Sequence, residues 1–239
     1  AAVTGSDNTV RASGIGSDAT VSGSRNTVDA TGLDSTVSLI GSDNTVAATG
    51  ARNVVVVRGS DNDVTTTGAT NNGTVTVRVS GDHNDVATDG VNSGALVSGS
   101  SNDVVANGPS SLAVVIGDGD TAEAIGDHTN SWVEGNHSTA TALGDYSSAA
   151  VYGDGSTAQA GFTSTDSQNS VHVDGNNSAG EAGYGSNNTV DVKGDDSSGA
   201  AFGTSNNVSA QGPDSHASAI GHGNNVESGP GETVSSFNP

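Results

Sequence analysis

The segment GSDNTVAATG, residues 41–50, decides the fold because close variants of it recur along the chain. The variants include GSDNTVRASG from Gly5, GSRNTVDATG from Gly23 and GSDNDVTTTG from Gly59. In all of them glycine returns after nine residues. A unit of this length is too short for a helical hairpin, but it accommodates one strand of about five residues and a tight turn. The spacing therefore predicts a chain of stacked strand-turn units.

Alternate units differ in kind, which indicates how many units form one coil. One kind carries Asn, Val and a small residue at alternate positions, as in Asn44, Val46 and Ala48. The other kind more often carries Ser, Ala and a larger residue, as in Ser93, Ala95 and Val97. Alternation with period two places each trio on one face of a strand. We therefore predict an all-β fold, a two-sided parallel β-solenoid (β-roll or β-helix) with about 18 residues per coil.

The sequence predicts one solenoid rod over residues 1–239, with three differently composed parts. Residues 1–117 form Asn/Val-type coils, residues 118–161 form slim Ser/Ala-type coils, and residues 162–239 form mixed coils with loop insertions. The segments ATNNGTVTVRVSG and FTSTDSQNSVHVDG break the nine-residue spacing and predict loops. In the last part the Asn-Val pattern resumes in the opposite alternate units, so the bulkier side of the core is expected to change sheets. The resumed pairs are Asn169/Val171, Asn188/Val190, Asn207/Val208 and Asn225/Val226.

Composition limits the classes of partner. The formal net charge is -21, with 27 acidic residues against 6 Lys and Arg, which argues against binding to nucleic acid or to an anionic membrane. There is no cysteine, and no apolar run approaches the roughly 20 residues of a spanning helix. We expect no membrane insertion, and an extracellular or cell-surface location with an export signal already removed.

Repeated asparagines predict a structural ladder. If coils stack about 4.8 Å apart, each amide can bond to the same residue in the next coil. The predicted ladder contains Asn8, Asn26, Asn44, Asn62, Asn84 and Asn102. Its expected role is to fix the register of the coils, not to form an active site.

Apolar residues at outward-pointing positions of the other sheet predict an interface, because a contiguous exposed apolar patch normally marks one. The alternative is that a loop, such as the 69–81 insertion, covers them. The residues are Val54, Val56, Leu96, Leu112, Val114, Ile116, Trp132 and Tyr152.

Two further outward sets suggest ligands. Hydroxyl groups that would suit an ice-binding face are those of Thr9, Thr27, Thr31, Thr45 and Thr49. The column Asp63, Asp85 and Asp103 would place like charges about one coil apart, where a cation such as calcium would relieve their repulsion. The alternatives are ordinary exposed strand threonines and solvated carboxylates.

Three families are similar to parts of this pattern. The 18-residue, two-strand coil resembles the nonapeptide β-roll of repeats-in-toxin proteins, which implies calcium in the turns, although the turns here read GSDN or GDHN. The segment GNHSTATALGDYSSAAVYGDGSTAQAG looks like the heads of trimeric autotransporter adhesins. The DNTV and RNTV segments are similar to grass-type ice-binding solenoids, which implies an outward Thr and Ser grid.

No catalytic motif is recognised. The six histidines are dispersed without metal-ligand spacing, and there is no phosphate loop or nucleophile elbow. We expect a non-enzyme without a cofactor: a secreted or cell-surface structural solenoid that self-associates, including end to end, into a fibre, sheath or adhesive layer. The alternatives are an ice-binding protein and a calcium-dependent adhesin module.

Overall fold

A computed structural model describes residues 1–68, 75–90, 93–108, 110–126, 128–144, 146–161, 168–204, 206–221, 223–229 and 233–237. The chain divides into two compact units, Ala1–Ile116 and Gly117–Pro239, which are described separately below. The boundary coincides with the change from valine-rich to alanine-rich coils at Gly117. The prediction of a single rod over residues 1–239 stays a prediction.

The first unit consists of short parallel strands connected by tight turns. Its strands are β1 (Ala2–Thr4), β2 (Thr9–Ser13), β3 (Asp18–Ser22), β4 (Thr27–Thr31), β5 (Thr36–Ile40), β6 (Thr45–Thr49), β7 (Val54–Arg58), β8 (Asp63–Thr67), β9 (Val75–Ser80), β10 (Asp85–Asp89), β11 (Ser93–Ser98), β12 (Asp103–Asn107) and β13 (Leu112–Ile116). Odd-numbered strands follow one another in one sheet, and even-numbered strands follow one another in a second sheet. The chain therefore alternates between two sheets as it winds.

The second unit repeats this arrangement. Its strands are β14 (Thr121–Ile125), β15 (Asn130–Glu134), β16 (Thr139–Leu143), β17 (Ser148–Tyr152), β18 (Thr157–Ala160), β19 (Ser170–Asp174), β20 (Ala179–Ser186), β21 (Thr189–Lys193), β22 (Ser198–Thr204), β23 (Asn207–Gln211), β24 (His216–Ile220), β25 (Asn225–Ser228) and β26 (Thr233–Phe237). Odd and even strands again form separate parallel sheets.

Strand pairing confirms the predicted fold class. Val28 pairs with Val46, and Val46 pairs with Val64, so successive strands of a sheet are 18 residues apart. The described residues contain strands and turns but no helix, and therefore no helix that could cross a membrane. The separation grows to 22 residues between Asp63 and Asp85, across the predicted insertion. Residues 69–74 and 162–167 of the two predicted loops lie outside the described residues.

The core of each unit is one layer of small side chains from each sheet. In the first unit both sheets contribute valines, such as Val28 from β4 and Val37 from β5, which are fully buried. In the second unit the even-numbered sheet contributes alanine or glycine, and the odd-numbered sheet contributes most of the valines. A Cβ added to Gly180 would lie 3.0 Å from Val171 Cγ1 and 3.1 Å from Val192 Cγ2. The bulkier side of this core thus lies opposite residues with little or no side chain, which keeps a thin core filled.

Glycine begins each turn because successive coils touch there through their backbones. Gly41 has a φ of 142°, and a Cβ added to it would lie 2.0 Å from the carbonyl oxygen of Gly23. Two residues later Asp43 occupies the left-handed region at φ 57°, which Asp tolerates better than most residues. The GSDN turn therefore requires a first residue without a side chain and a third residue that accepts positive φ.

Substitution of Gly41 tests this close approach. Gly41→Ala should lower the free energy of unfolding by roughly 3 kcal/mol, because the new methyl group overlaps the backbone carbonyl of Gly23 in the preceding coil. Gly16 is the matched control: it also has positive φ, at 67°, but an added Cβ meets nothing within 4 Å. Gly16→Ala should cost about 1 kcal/mol. Denaturant unfolding measures both variants. An equal loss of unfolding free energy in Gly41→Ala and Gly16→Ala would contradict the backbone contact.

Candidate functional site

The six predicted ladder asparagines form one column in the first unit, immediately before the even-numbered strands. The backbone N–H and the side-chain Nδ2 of Asn44 both donate to Oδ1 of Asn62, at 3.1 and 3.0 Å. Asn84 donates in the same way to Asn102, at 2.8 and 3.1 Å. All members except the half-buried Asn8 are fully buried. Each asparagine after Asn8 thus supplies the acceptor for a turn N–H of the preceding coil.

Serine takes over this role in the second unit. Ser138 N–H donates to Ser156 Oγ at 2.9 Å, and Ser156 N–H donates to Ser178 Oγ at 3.0 Å. Each of these hydroxyls also donates to a turn carbonyl, as Ser156 does to Gly135 at 3.1 Å. A hydroxyl can accept and donate at once, so the smaller side chain maintains the ladder.

The other turn of the second unit carries asparagines, and here two sequence assignments were wrong by one residue. Asn206 N–H donates to Asn224 Oδ1 at 3.3 Å, whereas Asn207 and Asn225 are the exposed first residues of β23 and β25. The correct positions lie two residues before Val208 and Val226, the spacing also seen in Asn169/Val171 and Asn188/Val190. In runs of two asparagines this spacing is the only sequence signal that identifies the ladder residue.

The predicted interface residues of the first unit lie together on one outward surface. We define the apolar face as the outward positions of β5, β7, β9, β11 and β13. Its apolar members are Ile40, Val54, Val56, Leu96, Leu112, Val114 and Ile116. Val114 pairs with Leu96 in register, and Ile116, 48% exposed, pairs with Ser98. Ile40, 54% exposed, was not predicted and extends this surface by one strand pair.

Two arginines interrupt the apolar face. Arg78 lies in the same column as Val56 and Leu96, and Arg58 lies in the column of Ile40. Together with Ile116 they border an open groove of about 470 Å³. Its openness and shallow walls suit contact with another surface better than enclosure of a small substrate.

The remaining predicted interface residues belong to the second unit. The rings of Trp132 and Tyr152 are 5.6 Å apart between centroids, and the rings of Tyr152 and His172 are 5.4 Å apart. His172 Nδ1 lies 3.3 Å from Asp191 Oδ2, and Lys193 Nζ lies 3.5 Å from the same oxygen. This partly exposed aromatic group continues into a small polar network on the outer surface of β15 to β21.

The threonines of the predicted ice-binding face form two in-register columns in the first unit. One contains Thr9, Thr27 and Thr45, and the other contains Thr31 and Thr49. Between the columns, Arg11 Nε lies 3.8 Å from Asp29 Oδ2. The hydroxyl grid is therefore regular along the columns but is divided by an ion pair at its N-terminal end.

Aspartates replace threonine further along the same sheet. Asp63, Asp85 and Asp103 pair in register on β8, β10 and β12, and Asp89 also faces outward. We define these four residues as the acidic face. Partial burial raises the pKa of the Asp85 carboxyl, and the charges of Asp103 and Asp63 raise it further. Within the described residues, no group of three or more His, Asp or Glu side chains is arranged to hold a metal ion, so calcium binding stays a prediction.

The cations of the chain differ in whether they are paired. Arg25 donates to both carboxylate oxygens of Asp7, at 2.8 and 3.0 Å, which lowers the pKa of that carboxyl. Arg52 makes the same paired contact with Asp34, at 2.6 and 2.8 Å. Arg11 and Lys193 also lie within ion-pair distance of an aspartate. Among the described residues, no such pair includes either arginine of the apolar face.

Comparison with known proteins adds one similarity. Residues 3–61 match a family described as a protein of unknown function (DUF3060). No curated protein and no solved structure matches the chain.

The acidic face yields a pH-dependent prediction. Because the folded-state pKa of Asp85 is raised, its ionised form destabilises the fold at pH 7, and the penalty disappears as the pH falls below the ordinary carboxyl value of 3.8. Asp85→Asn should therefore increase the free energy of unfolding at pH 7, by about 0.5 kcal/mol, the scale for exposed charge pairs. At pH 3 the substitution should leave the free energy of unfolding unchanged.

Asp18→Asn is the control for the change in net charge, since Asp18 pairs in register with Thr36 and not with another acid. Denaturant unfolding at several pH values measures both variants. A gain for Asp85→Asn that persists at pH 3, or an equal gain for Asp18→Asn, would show that the aspartate column is not its cause.

Proposed function

We propose that this protein is a structural β-solenoid, located outside the cell or on its surface, whose copies associate through the apolar face. The observation that carries the proposal is the cluster of exposed aliphatic side chains on the odd-numbered strands from β5 to β13. Leu96, Leu112 and Ile116 are each more than 40% exposed although nothing in the repeat requires apolar residues at outward positions. Exposed apolar patches of this kind mark sites of association.

The scaffold supports a structural role over a catalytic one. The described residues contain no cluster suited to a metal ion, and the apolar groove is open. Backbone and side-chain ladders link every coil to the next in each unit, which favours stiffness over the loop movements that many enzymes use. Acidic residues keep much of the remaining surface hydrated, so the apolar face, which lacks them, is the surface that loses least hydration when copies associate.

Self-association is tested by sedimentation of the protein over a wide concentration range. The protein should form concentration-dependent oligomers, and Leu96→Ser with Ile116→Ser should weaken their association at least tenfold, a loss of about 1.4 kcal/mol. Ile15→Ser is the matched control, since Ile15 is 79% exposed but lies in the turn between β2 and β3. A monomer at all concentrations would overturn the proposal.

Ice binding is a second candidate, favoured by the two threonine columns. The column of Thr9, Thr27 and Thr45 places one hydroxyl on each strand, at the strand spacing of about 4.8 Å, which gives a regular outward hydroxyl array. Thermal hysteresis that disappears in Thr27→Lys with Thr45→Lys, but remains in Ser38→Lys on the other sheet, would support it. Ice growth without hysteresis or faceting at high protein concentration would remove this candidate.

A further inference from the structure

The two outward surfaces of the same coils carry opposite charge. The apolar face lies on the odd-numbered strands from β5 to β13. Its outward positions include Arg58 and Arg78 and no carboxylate. On β8, β10 and β12 the outward positions include the four carboxylates of the acidic face and no cation. In a chain with a formal net charge of -21, a strip with two arginines and no acid is unusual.

These two surfaces cannot neutralise each other within one molecule. They belong to the two sheets that pack against each other across the core, so their outward sides point in opposite directions. The ion pairs of the described residues leave Arg58 and Arg78 without a carboxylate, although acids outnumber bases by 27 to 6. A partner that offers carboxylates would therefore complement the two arginines that the described residues leave without an ion pair.

We propose that the acidic face of a second copy of this chain covers the apolar face. This inference rests on the proposed function and names the partner surface for it. Both surfaces repeat at the coil spacing of about 4.8 Å, so parallel coils bring arginines on neighbouring strands opposite aspartates on neighbouring strands. The guanidinium group suits such a partner because it binds a carboxylate with two parallel hydrogen bonds.

The apolar side chains also fit this partner. Between its aspartates the acidic face presents Thr65, Ala87 and Val105 at the central outward positions. These small or short side chains leave room for Leu96 and Ile116 of the other copy to pack closely. The arginines of the other copy would relieve the repulsion between the carboxylates of Asp63, Asp85 and Asp103. In the single molecule, partial burial and this repulsion raise the pKa of the Asp85 carboxyl.

The geometry of this contact predicts an open assembly. Each copy uses one surface to bind and presents the opposite surface to the next copy, which is a heterologous contact. Contacts of this type continue into stacks unless a rotation closes them into a ring. The resulting growth direction is across the sheets, from one solenoid to the next.

A charge-exchange experiment with the full chain tests the inference. One variant combines Arg58→Glu and Arg78→Glu, and the other combines Asp85→Arg and Asp103→Arg. The first variant makes both surfaces acidic, and the second removes the net negative charge of the acidic face opposite the arginines. Sedimentation should therefore show self-association of each variant alone at least tenfold weaker than that of the unaltered protein. An equimolar mixture of the two variants should recover association, because each surface of one variant then opposes its complement on the other.

Arg25→Glu with Arg52→Glu is the matched control for the first variant, since it also replaces two arginines by glutamates, but at turn residues outside both faces. This control should associate as the unaltered protein does. Circular dichroism and thermal unfolding establish that every variant is folded. Recovery in the mixture also requires folded variants, so loss of association through misfolding is separated from loss of the contact.

The outcomes distinguish this inference from the proposed function. If the unaltered protein associates and either variant alone associates equally well, self-association stands and the acidic face is not the partner. If both variants lose association and the mixture does not recover it, the pairing of these two faces is also overturned. Decanoate, a small apolar anion, is the probe for the alternative occupant of the groove. If both variants associate as the unaltered protein does, but the arginine variant loses the binding of decanoate, the groove holds a small apolar anion instead. A monomeric unaltered protein removes both proposals.

Discussion

Hydrogen bonding between the turns of successive coils is the constraint on which the rest of the structure depends. In the turn that begins at Gly41, the N–H groups of Gly41 and Asp43 donate to backbone carbonyls of the next coil, at 2.8 and 3.2 Å. The N–H of Asn44 instead donates to the side-chain oxygen of Asn62. Without that oxygen a buried donor would be unpaired, at a cost of about 1 to 3 kcal/mol per coil. The asparagine side chain thus completes the pairing that the backbone leaves incomplete.

Because the turns fix the register, the core can be thin and the outward surfaces are free to vary. Valine and alanine fill most of the interior of both units, and no aromatic side chain belongs to the buried core of the described residues. Outward positions therefore change along one sheet without disturbing the repeat, as from Thr45 to Asp63 on neighbouring strands. The contrast between the apolar face and the acidic face is one product of this freedom, and it is the feature that supports association.

The sequence predicts the fold well because glycine alone is enough to show the nine-residue period. Glycine at nine-residue intervals marks most of the turns, and the alternation around Val46 assigns the buried positions. The same reasoning brought the asparagine column and most of the apolar face together. It missed Ile40, and it selected Asn207 and Asn225 where the spacing to valine requires Asn206 and Asn224.

What the sequence could not show is which charges remain without an ion pair among the described residues. Arg25 and Asp7 are 18 residues apart, so their pairing follows once the coil length is known. The lack of an ion pair for Arg58 and Arg78 within the described part of the chain is different, because it depends on all the side chains that face the same way on several strands. The opposition of the two faces likewise emerges only when the alternation of sheets is combined with the outward residues of each strand.

Native-state amide hydrogen exchange tests the role of the turn ladder most directly. If the ladder holds the turns in register, the backbone amides of Asn26, Asn44 and Asn62, whose acceptors are side-chain oxygens, exchange as slowly as the amide of Thr45, whose acceptor is the backbone carbonyl of Asn26. Fast exchange at the asparagines beside slow exchange at Thr45 would contradict it. In that case the strands alone would hold the coils in register.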